Sequence, residues 1–503
     1  MRLRAKSLPL LLSAVSGIAV TGCGIEAPHP VRLTHVEAEV RGDDTTPMAE
    51  PSSSWDLCDI NARLVRDIIP GAGDSDPRHL HHGNDVLHFS ATDGVWGREP
   101  WISSGVASGT RPLLDVHSGG RGSDAGPFVQ AGTTTFFAAT NSVLGRELWK
   151  TDGTPGGTEL VRDISPGIAS SNPEHLTVFN GILYFTANNG TNGRELWRSD
   201  GTEMGTYLLR DFSTVGDQVT NHFELVAGSN ALFVKVSVFS SSSSALSRVQ
   251  LFRTNGTSFV RLADAPEDNT IRHLTTVGDK LYFTWNFDAP ETHLYVTSGT
   301  SSFARFVYTF TGTPSGMAAF KDKLFLGATT DSMGMDFELW RSDGTTSGTM
   351  RVRDIYPGPV PSQPEKLTVV KNRLFFTADD GVHGRELWSS DGTTNGTRLH
   401  ADILPGAMSS SPSELTAVEE YLFFSAHTDE GGREVWVSDT REQGAFELMG
   451  IAPGMMNADP KNFVRSGGTS TSPRRMPPTT AVSCAPCASG RRGCVARLAG
   501  AER

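Results

Sequence analysis

GRELWRSDGT, residues 193–202, decides the fold of this chain because close copies of it recur at a fixed spacing. Six tryptophans mark the copies in two series with a 48-residue step: Trp101, Trp149 and Trp197, then Trp340, Trp388 and Trp436. The 143 residues from Trp197 to Trp340 hold two diverged copies, in which Phe252 and Tyr295 stand at the tryptophan position. A fixed period of this length is typical of one structural unit repeated in tandem.

One clear copy, residues 159–206, contains four short apolar runs. They are ELVRDI (159–164), EHLTVF (174–179), ILYFTA (182–187) and RELWRS (194–199). Each has the length and the branched or aromatic residues of a strand, and none reaches helical length. Asn180-Gly181 predicts a two-residue type I′ turn, which makes the second and third runs a hairpin.

A four-stranded sheet of this size must cover its faces against neighbouring sheets. Tandem units of 40–50 residues favour radial packing, so we predict an all-β fold, a β-propeller of four-stranded antiparallel blades. A linear stack of sheets is the alternative. Eight complete units and a partial ninth are visible, beginning at Leu64, Arg111, Glu159, Tyr207, Phe259, Phe303, Met350, Arg398 and Phe446. The repeat region is 56–469.

The ninth unit stops abruptly after Thr469. Codons for the expected strand LYFSA, such as CTC TAC TTC TCC GCG, encode STSPR when read one base later, and STSPR is residues 470–474. Residues 476–484 likewise read as DAADDGREL in the shifted frame. We therefore hypothesise that residues 470–503 are an out-of-frame, disordered tail, which resequencing the gene would test. Cys484, Cys487 and Cys494 then form no zinc site, since CxxC needs a second ligand pair.

The amino terminus predicts a lipoprotein. Basic residues precede an apolar run too short to span a bilayer, and Val20-Thr21-Gly22-Cys23 resembles a lipobox, so residues 1–22 are interpreted as a signal peptide and Cys23 as the lipidated residue. An ordinary signal peptide is the alternative. Residues 23–55, acidic and rich in proline, are predicted to be a flexible tether. The expected localisation is the bacterial cell envelope, on the outer membrane or cell surface.

Composition excludes several classes of function. Cys58 is the single cysteine of the repeat region, so no internal disulfide framework is expected. The net charge is −12 without a basic stripe, which argues against a nucleic-acid partner. HExxH, GxSxG and P-loop motifs are absent from the sequence, so no catalytic residue is assigned and neither a metal nor a cofactor is predicted.

RELWKTDGTPGGT (146–158), RELWSSDGTTNGT (385–397) and their relatives resemble the ELWxxDGT repeat proteins of bacterial surfaces. The resemblance covers about 64–469. It implies a propeller-like surface protein, but no activity of particular residues. We therefore expect a monomeric binding or scaffold module with the membrane, through its lipid, and a surface glycan or protein as partners. A polysaccharide-acting glycosidase or lyase remains the alternative, since propeller enzymes draw carboxylates from different blades.

Several repeated residues invite specific interpretations. The DGT aspartates suggest calcium ligands, but closure of the turn by side-chain hydrogen bonds is the simpler role. The tryptophans are predicted to fill the wedges between blades. The Arg-Glu pairs of GRE point to opposite faces of their strand, so each residue is expected to contact another strand or the next blade.

The candidate ligand-binding residues are five aspartates of the first run. If that run were the innermost strand, its aspartates and neighbouring arginines would surround the central channel, where propellers bind small ligands. A self-satisfied ladder of charges is the alternative. The five are Asp67, Asp163, Asp211, Asp354 and Asp402. His79, His175 and His273 share another repeat position and are interpreted as turn residues, too far apart to hold a metal.

Overall fold

The computed structural model describes residues 8–14, 36–40, 60–71, 73–212, 219–240, 246–266, 270–286, 291–333, 335–438, 440, 444–449 and 460–465. These residues form antiparallel strands and a single 3-10 turn, Ala107–Gly109. The predicted all-β class is thereby confirmed. Within the described ranges, no helix has the length and apolar character needed to cross a membrane. Cys23, Cys58, most of the predicted tether and the tail 470–503 lie outside the described residues.

Eight sheets are each built from four consecutive strands, which we call blades 1 to 8. Their strands are, in order, Arg78–Gly83, Val86–Thr92, Arg98–Ser103 and Arg111–Pro112 in blade 1; Phe128–Ala131, Thr134–Asn141, Gly145–Thr151 and Glu159–Arg162 in blade 2; Glu174–Phe179, Ile182–Asn188, Arg194–Ser199 and Tyr207–Arg210 in blade 3; Val219–Ala227, Leu232–Ser240, Leu246–Thr254 and Phe259–Pro266 in blade 4; Thr270–Val277, Lys280–Asn286, Glu291–Ser298 and Arg305–Thr311 in blade 5; Ser315–Phe320, Lys323–Ala328, Glu338–Ser342 and Met350–Arg353 in blade 6; Glu365–Val370, Arg373–Asp379, Arg385–Ser390 and Arg398–Ala401 in blade 7; and Ser413–Val418, Tyr421–Thr428, Gly432–Ser438 and Phe446–Met449 in blade 8.

A ninth sheet closes the ring. It consists of Pro460–Arg465, Leu8–Ala14, Val36–Val40 and Ile60–Leu64, in that order across the sheet. Two of these strands lie in the segments for which the sequence predicts a signal peptide and a flexible tether. The first strand of each blade contacts the first strands of both neighbours, and Pro460–Arg465 joins blade 8 to blade 1 in the same way. The first strands are therefore innermost, and the predicted propeller is confirmed.

The blades are offset by one strand from the repeat unit of the sequence. Glu159–Arg162, at the start of the unit, pairs with Gly145–Thr151 and is the outermost strand of blade 2. The innermost strand of blade 3 is Glu174–Phe179, the second run of the unit. The prediction that the first run could be innermost is therefore wrong. A periodic pattern fixes the spacing of units but not where a blade begins.

The core lies between blades rather than within them. Trp197 and Leu196 are neighbours on one strand and point to opposite faces. Trp197 packs with Phe136 and Leu148 of blade 2. Leu196 packs with Leu232 of blade 4. Trp340 and Leu339 of blade 6 divide between the two wedges in the same way, and in blades 4 and 5 Phe252 and Tyr295 take the place of the tryptophan. The predicted inter-blade role of the tryptophans is confirmed.

The GRE residues tie the crossovers between blades. Arg146 donates from Nη1 to the Asp124 carbonyl, 2.8 Å away, just before its own blade's inner strand. The Glu147 carboxylate accepts from the backbone amides of Ile164 and Ser171 at 3.0 and 2.8 Å, on the segment that leads to blade 3. Glu147 is fully buried, and its burial raises the pKa of the carboxyl. The predicted links are present, but their partners are mainly backbone groups.

The turns also agree with the sequence. Asn180 and Gly181 have φ of 51° and 75°, as a type I′ hairpin turn requires. Asp200 Oδ1 accepts from the Thr202 amide at 2.9 Å and its hydroxyl at 2.7 Å. In blade 4, Asn255 accepts from Thr257 in the same way with no charge. Closure of the turn therefore needs a side-chain oxygen and not a carboxylate.

Replacing the buried carboxylate should weaken the crossover. Glu147→Gln places an amide NH₂ among backbone and hydroxyl donors, so we expect the free energy of unfolding to fall by about 2–3 kcal/mol. Glu159→Gln is the matched control on the exposed outer strand and should change stability by less than about 0.5 kcal/mol. Urea unfolding followed by tryptophan fluorescence measures both. Equal effects of the two substitutions would contradict a stabilising role of the Glu147 carboxylate.

Candidate functional site

The five aspartates predicted to bind ligand do not line the central channel. Each follows an outermost strand, on the crossover to the next blade, because the strand before it is outermost rather than innermost. Asp163 Oδ2 accepts from the Gly167 amide at 3.2 Å, and Asp211 Oδ2 accepts from Asn192 Nδ2 at 2.8 Å. These contacts stabilise local loops. Asp354 alone among the five lies in an acidic group with other carboxylates.

The three histidines lie within inner strands, not in turns, so that interpretation is wrong. His79, His175 and His273 all have φ of 55°, at an irregular step of the innermost strand. His175 and His273 place Nδ1 3.1 and 3.0 Å from a threonine hydroxyl on the second strand of their own blades. Their burial lowers the pKa of each imidazole. The rings are held blade by blade and do not converge.

Blade 6 departs from the repeat at three positions around one tryptophan. Asp336 stands where Gly193 or Gly384 stands in other blades, and Phe337 replaces the arginine of GRE. Arg351 lies directly across from Trp340 in the register, where the corresponding residues of blades 2, 3 and 7 are leucines packed beside their tryptophans. These changes concern separate elements, yet they meet at one place.

The substitutions explain how an opening forms there. The glycines that Asp336 replaces have positive φ and crowded surroundings: a Cβ at Gly384 would lie 2.7 Å from the Met408 carbonyl oxygen. An aspartate in that conformation would cost free energy, so the loop before Asp336 follows a different path. Phe337 has no donor for the carbonyl that the arginine binds in other blades. Its ring lies beside Gly312 instead, 3.6 Å from the position that a Cβ would take there.

A pocket of about 310 Å³ results, lined by Thr330, Asp331, Asp336, Trp340 and Arg351. We call it the blade-6 pocket. Inner and third strands run in the same direction, so the pocket lies at the end of the ring where inner strands begin. The DGT turns lie at the opposite end.

Charges in the pocket are partly compensated. Arg351 Nη1 donates to Asp336 Oδ2 at 3.1 Å, and Arg351 Nη2 lies 3.7 Å from Asp354 Oδ2. Asp336 Oδ1 and the Trp340 indole Nε1 are buried, and neither has a hydrogen-bond partner. Burial raises the pKa of Asp336. The unpartnered Trp340 N–H is shared with Trp149, Trp197, Trp388 and Trp436 of other blades, so the feature that this site adds is the buried acceptor Asp336 Oδ1.

Asp336, Glu338 and Asp354 offer carboxylate oxygens within 4.8 Å of one another. Such a group suggests a divalent cation, but two observations argue against one. The Glu338 oxygens already accept from the Ile355 amide at 2.7 Å and the Ser362 hydroxyl at 2.8 Å. Arg351 supplies the positive charge between Asp336 and Asp354. Asp336 and Asp354 are therefore better described as a carboxylate pair bridged by Arg351. Glu338 is a separate, buried structural residue, and its burial raises the pKa of its carboxyl to about 7.

Sequence reasoning missed this pocket, although its signal was present. Comparison with blades 2, 3 and 7 shows Gly to Asp, Arg to Phe and Leu to Arg in blade 6, although blades 4 and 5 also differ at these positions. The first two changes are neighbours, but Arg351 lies 15 residues later and joins them through strand pairing alone.

The fold and pocket define a β-propeller with a polar pocket beside one blade. Comparisons with protein-family models and with curated proteins each returned no match. Solved structures with limited similarity include a puromycin hydrolase S511A mutant complexed with PGG, at 15% identity and TM-score 0.38, covering 64% of this chain and 53% of that one. A prolyl endopeptidase matches at 11% identity and TM-score 0.37, covering 70% and 51%. The chain thus spans about half the length of these proteins.

The β-propeller domain of the Trilobed protease from Pyrococcus furiosus matches at 12% identity and TM-score 0.34, covering 65% of this chain and 98% of that one. At these identities no substrate or activity transfers to this chain. The assignment as a propeller depends on the strand order and the closed ring of inner strands.

The Arg351–Asp336 contact should be measurable as a coupling energy. We expect Arg351→Leu to destabilise the fold by about 1 kcal/mol, because it leaves a half-buried carboxylate without its counter-ion. In the Asp336→Asn background the same change should cost about half as much or less, giving a coupling near 0.5–1 kcal/mol. Urea unfolding of the four proteins provides the cycle.

The exposed pair Arg261 and Asp264, 2.8 Å apart in blade 4, is the control cycle. Its coupling should be smaller than that of the pocket pair. Additive effects of Arg351→Leu and Asp336→Asn would contradict the bridged arrangement.

Proposed function

We propose that this protein is an extracytoplasmic binding module, carried on a bacterial membrane by a lipid on Cys23, that takes a glycan residue at the blade-6 pocket. The observation that carries the proposal is the coincidence of three departures from the repeat around Trp340, while the structural residues of the same blade are retained. Glu338 and the Asp343 turn keep the bonds that they make in other blades. Blades 4 and 5 differ at the same three positions but have also lost the glutamate and the tryptophan, so blade 6 alone of these three combines the retained frame with altered polar residues.

The chemistry of the pocket supports a hydroxyl-rich ligand. Asp331 and Asp336 offer oxygens that accept from hydroxyl groups, whereas the Trp340 indole N–H and the Arg351 guanidinium donate. A sugar residue presents both donors and acceptors at short spacing. The volume of about 310 Å³ is near the lower limit for ligand sites and suits one residue of a chain better than a large cofactor.

A polysaccharide-acting enzyme is the second candidate, and Asp336 favours it. It adds to Asp354 a carboxylate that the equivalent glycine of blades 1, 2, 3, 7 and 8 does not supply. Paired carboxylates about 5–5.5 Å apart act in retaining glycosidases. Arg351 lies between the two side chains, however, 3.1 Å from Asp336 Oδ2 and 3.7 Å from Asp354 Oδ2, and so occupies the space that a scissile bond would need. Binding without chemistry is therefore the first proposal.

The resemblance to ELWxxDGT repeat proteins supports the same location. Residues 1–23 combine basic residues, a short apolar run and a lipobox-like cysteine, and the chain then continues into an acidic, proline-containing segment. This order suits a globular ring held at a distance from a bilayer. The partners proposed are the membrane, through the lipid, and a surface glycan.

A glycan array probed with the full chain tests the ligand class, and one substitution pair tests the site. Asp354→Asn removes the carboxylate that lies 3.7 Å from Arg351 of the pocket, and Asp402→Asn changes the equivalent aspartate of blade 7. We expect the first to weaken binding of the selected glycan at least tenfold, about 1.4 kcal/mol, and the second to leave binding unchanged. Equal losses, or no glycan bound at millimolar concentration, would contradict the proposal. Release of shortened products during incubation would favour the enzyme instead.

Detergent-phase partition of the protein from bacterial envelopes tests the anchor. Cys23→Ser should move the protein to the aqueous phase and abolish incorporation of labelled palmitate, because the acylated thiol is lost. Cys58→Ser is the matched control and should remain in the detergent phase. If both variants partition like the unmodified protein, the lipid assignment is wrong while the pocket remains testable.

A further inference from the structure

The ninth sheet differs from the other eight in how it is assembled. Blades 1 to 8 each use four consecutive strands, whereas the ninth draws strands from both ends of the repeat region. Pro460–Arg465 is innermost and Ile60–Leu64 outermost. The two positions between them are held by Leu8–Ala14 and Val36–Val40.

The inner position follows the repeat. Asn462 has φ of 56°, the left-handed value of His175 and Lys366 at the same place in their inner strands. Pro460–Arg465 contacts the inner strands of blades 8 and 1, as every inner strand contacts its neighbours. This strand is therefore a regular member of the ring.

The outer position follows the repeat too. Residues 64–68, LVRDI, match the LVRDI of 160–164. Arg66 donates to the Thr110 carbonyl of blade 1, as Arg162 does to Thr206 of blade 3 and Arg353 to Thr397 of blade 7. The outermost strand of the last sheet is thus the first strand of the repeat region, and this pairing links the two ends of the ring.

The middle positions do not follow the repeat. Second strands elsewhere read like ILYFTA or RLFFTA, and third strands carry the Glu-Leu-Trp series. Neither LPLLLSA (8–14) nor VEAEV (36–40) contains an aromatic residue. In the other eight sheets, the second and third strands directly follow the inner strand in sequence. The corresponding sequence after Pro460–Arg465 is found only in the shifted reading frame, which gives LYFSA and GREL.

We propose that the two middle positions of the ninth sheet are an acceptor site for a β-hairpin with the repeat's own second and third strands, and that Leu8–Ala14 and Val36–Val40 are exchangeable occupants of it. Strand addition supplies main-chain hydrogen bonds, and side-chain pockets on alternate positions supply selectivity. Pro460–Arg465 offers its edge in antiparallel register, with Leu11 opposite Val464 and Leu10 opposite Arg465. A hairpin with phenylalanine and tryptophan in register fits the adjoining wedges, which already contain Phe89, Trp101 and Val464.

The chain contains a suitable probe in its own eighth blade. A labelled peptide of residues 421–438, YLFFSAHTDEGGREVWVS, has both strands of the proposed occupant. Incubated with the full chain, it should bind at one site and raise amide exchange at least tenfold in residues 8–14 and 36–40. Exchange in 460–465 should not increase. The same peptide with Phe423→Pro and Phe424→Pro is the control and should not bind.

Two variants of the full chain make the test decisive. Leu11→Pro weakens the present occupant, so the peptide should bind at least tenfold more tightly. Leu10→Cys with Arg465→Cys places two cysteines directly opposite each other, where oxidation can join them in a disulfide. The oxidised protein should not bind the peptide, and the reduced protein should bind it.

Three results would overturn the proposal: no binding to Leu11→Pro, equal binding to the oxidised and reduced cysteine variant, or binding without increased exchange in 8–14. The measurements use the unprocessed chain, because cleavage before Cys23 would remove residues 8–14, and glycan binding does not enter them. Their failure is therefore distinguishable from failure of the proposed function.

Discussion

The wedge between neighbouring blades is the constraint on which the rest of the structure depends. A four-stranded sheet exposes two apolar faces, and alternation along the third strand sends Leu196 to one wedge and Trp197 to the other. Leucines of this series are fully buried and the tryptophans nearly so. Because each wedge is filled from both sides, no blade is complete without two neighbours. An open row would leave two unfilled faces, whereas a closed ring leaves none.

Polar ties then fix how one blade leads to the next. In blades 1, 2, 3 and 7, the buried glutamate of the third strand accepts backbone amides from the following crossover, which otherwise would have no partners in the apolar interior. In blade 6 the glutamate is retained and the arginine is lost. Blades 4 and 5 have Gln250 and His293 at the glutamate position, so the ring also closes where both residues of the tie are replaced. The blade-6 pocket exists because the arginine position tolerates change.

Much of this architecture could be predicted from the sequence, because turn and strand signals are local. The predicted hairpin turn at Asn180-Gly181, the closure of the DGT turns by side-chain hydrogen bonds and the inter-blade position of the tryptophans are all confirmed. The predicted position of the aspartates is wrong. A 48-residue period does not show at which strand a blade begins, and the first run of each unit belongs to the preceding blade. Whether Asp163 faces the channel or the rim depends on a pairing between strands that periodicity does not encode. The pocket was missed for a similar reason, since Arg351 reaches Asp336 only through the register of strands.

Internal repetition offers a way to separate structural residues from functional ones within a single chain. Residues that a wedge or crossover requires recur in blade after blade, so each copy is a comparison for every other. A lone departure can be drift, as in the loops of blade 4. Departures on separate elements that converge in space are different: Asp336 and Arg351 contact each other, and both adjoin a buried tryptophan N–H without a partner. Each alone would cost stability, through an uncompensated charge or a lost leucine contact. Together, each supplies the other's counter-charge, which reduces that cost.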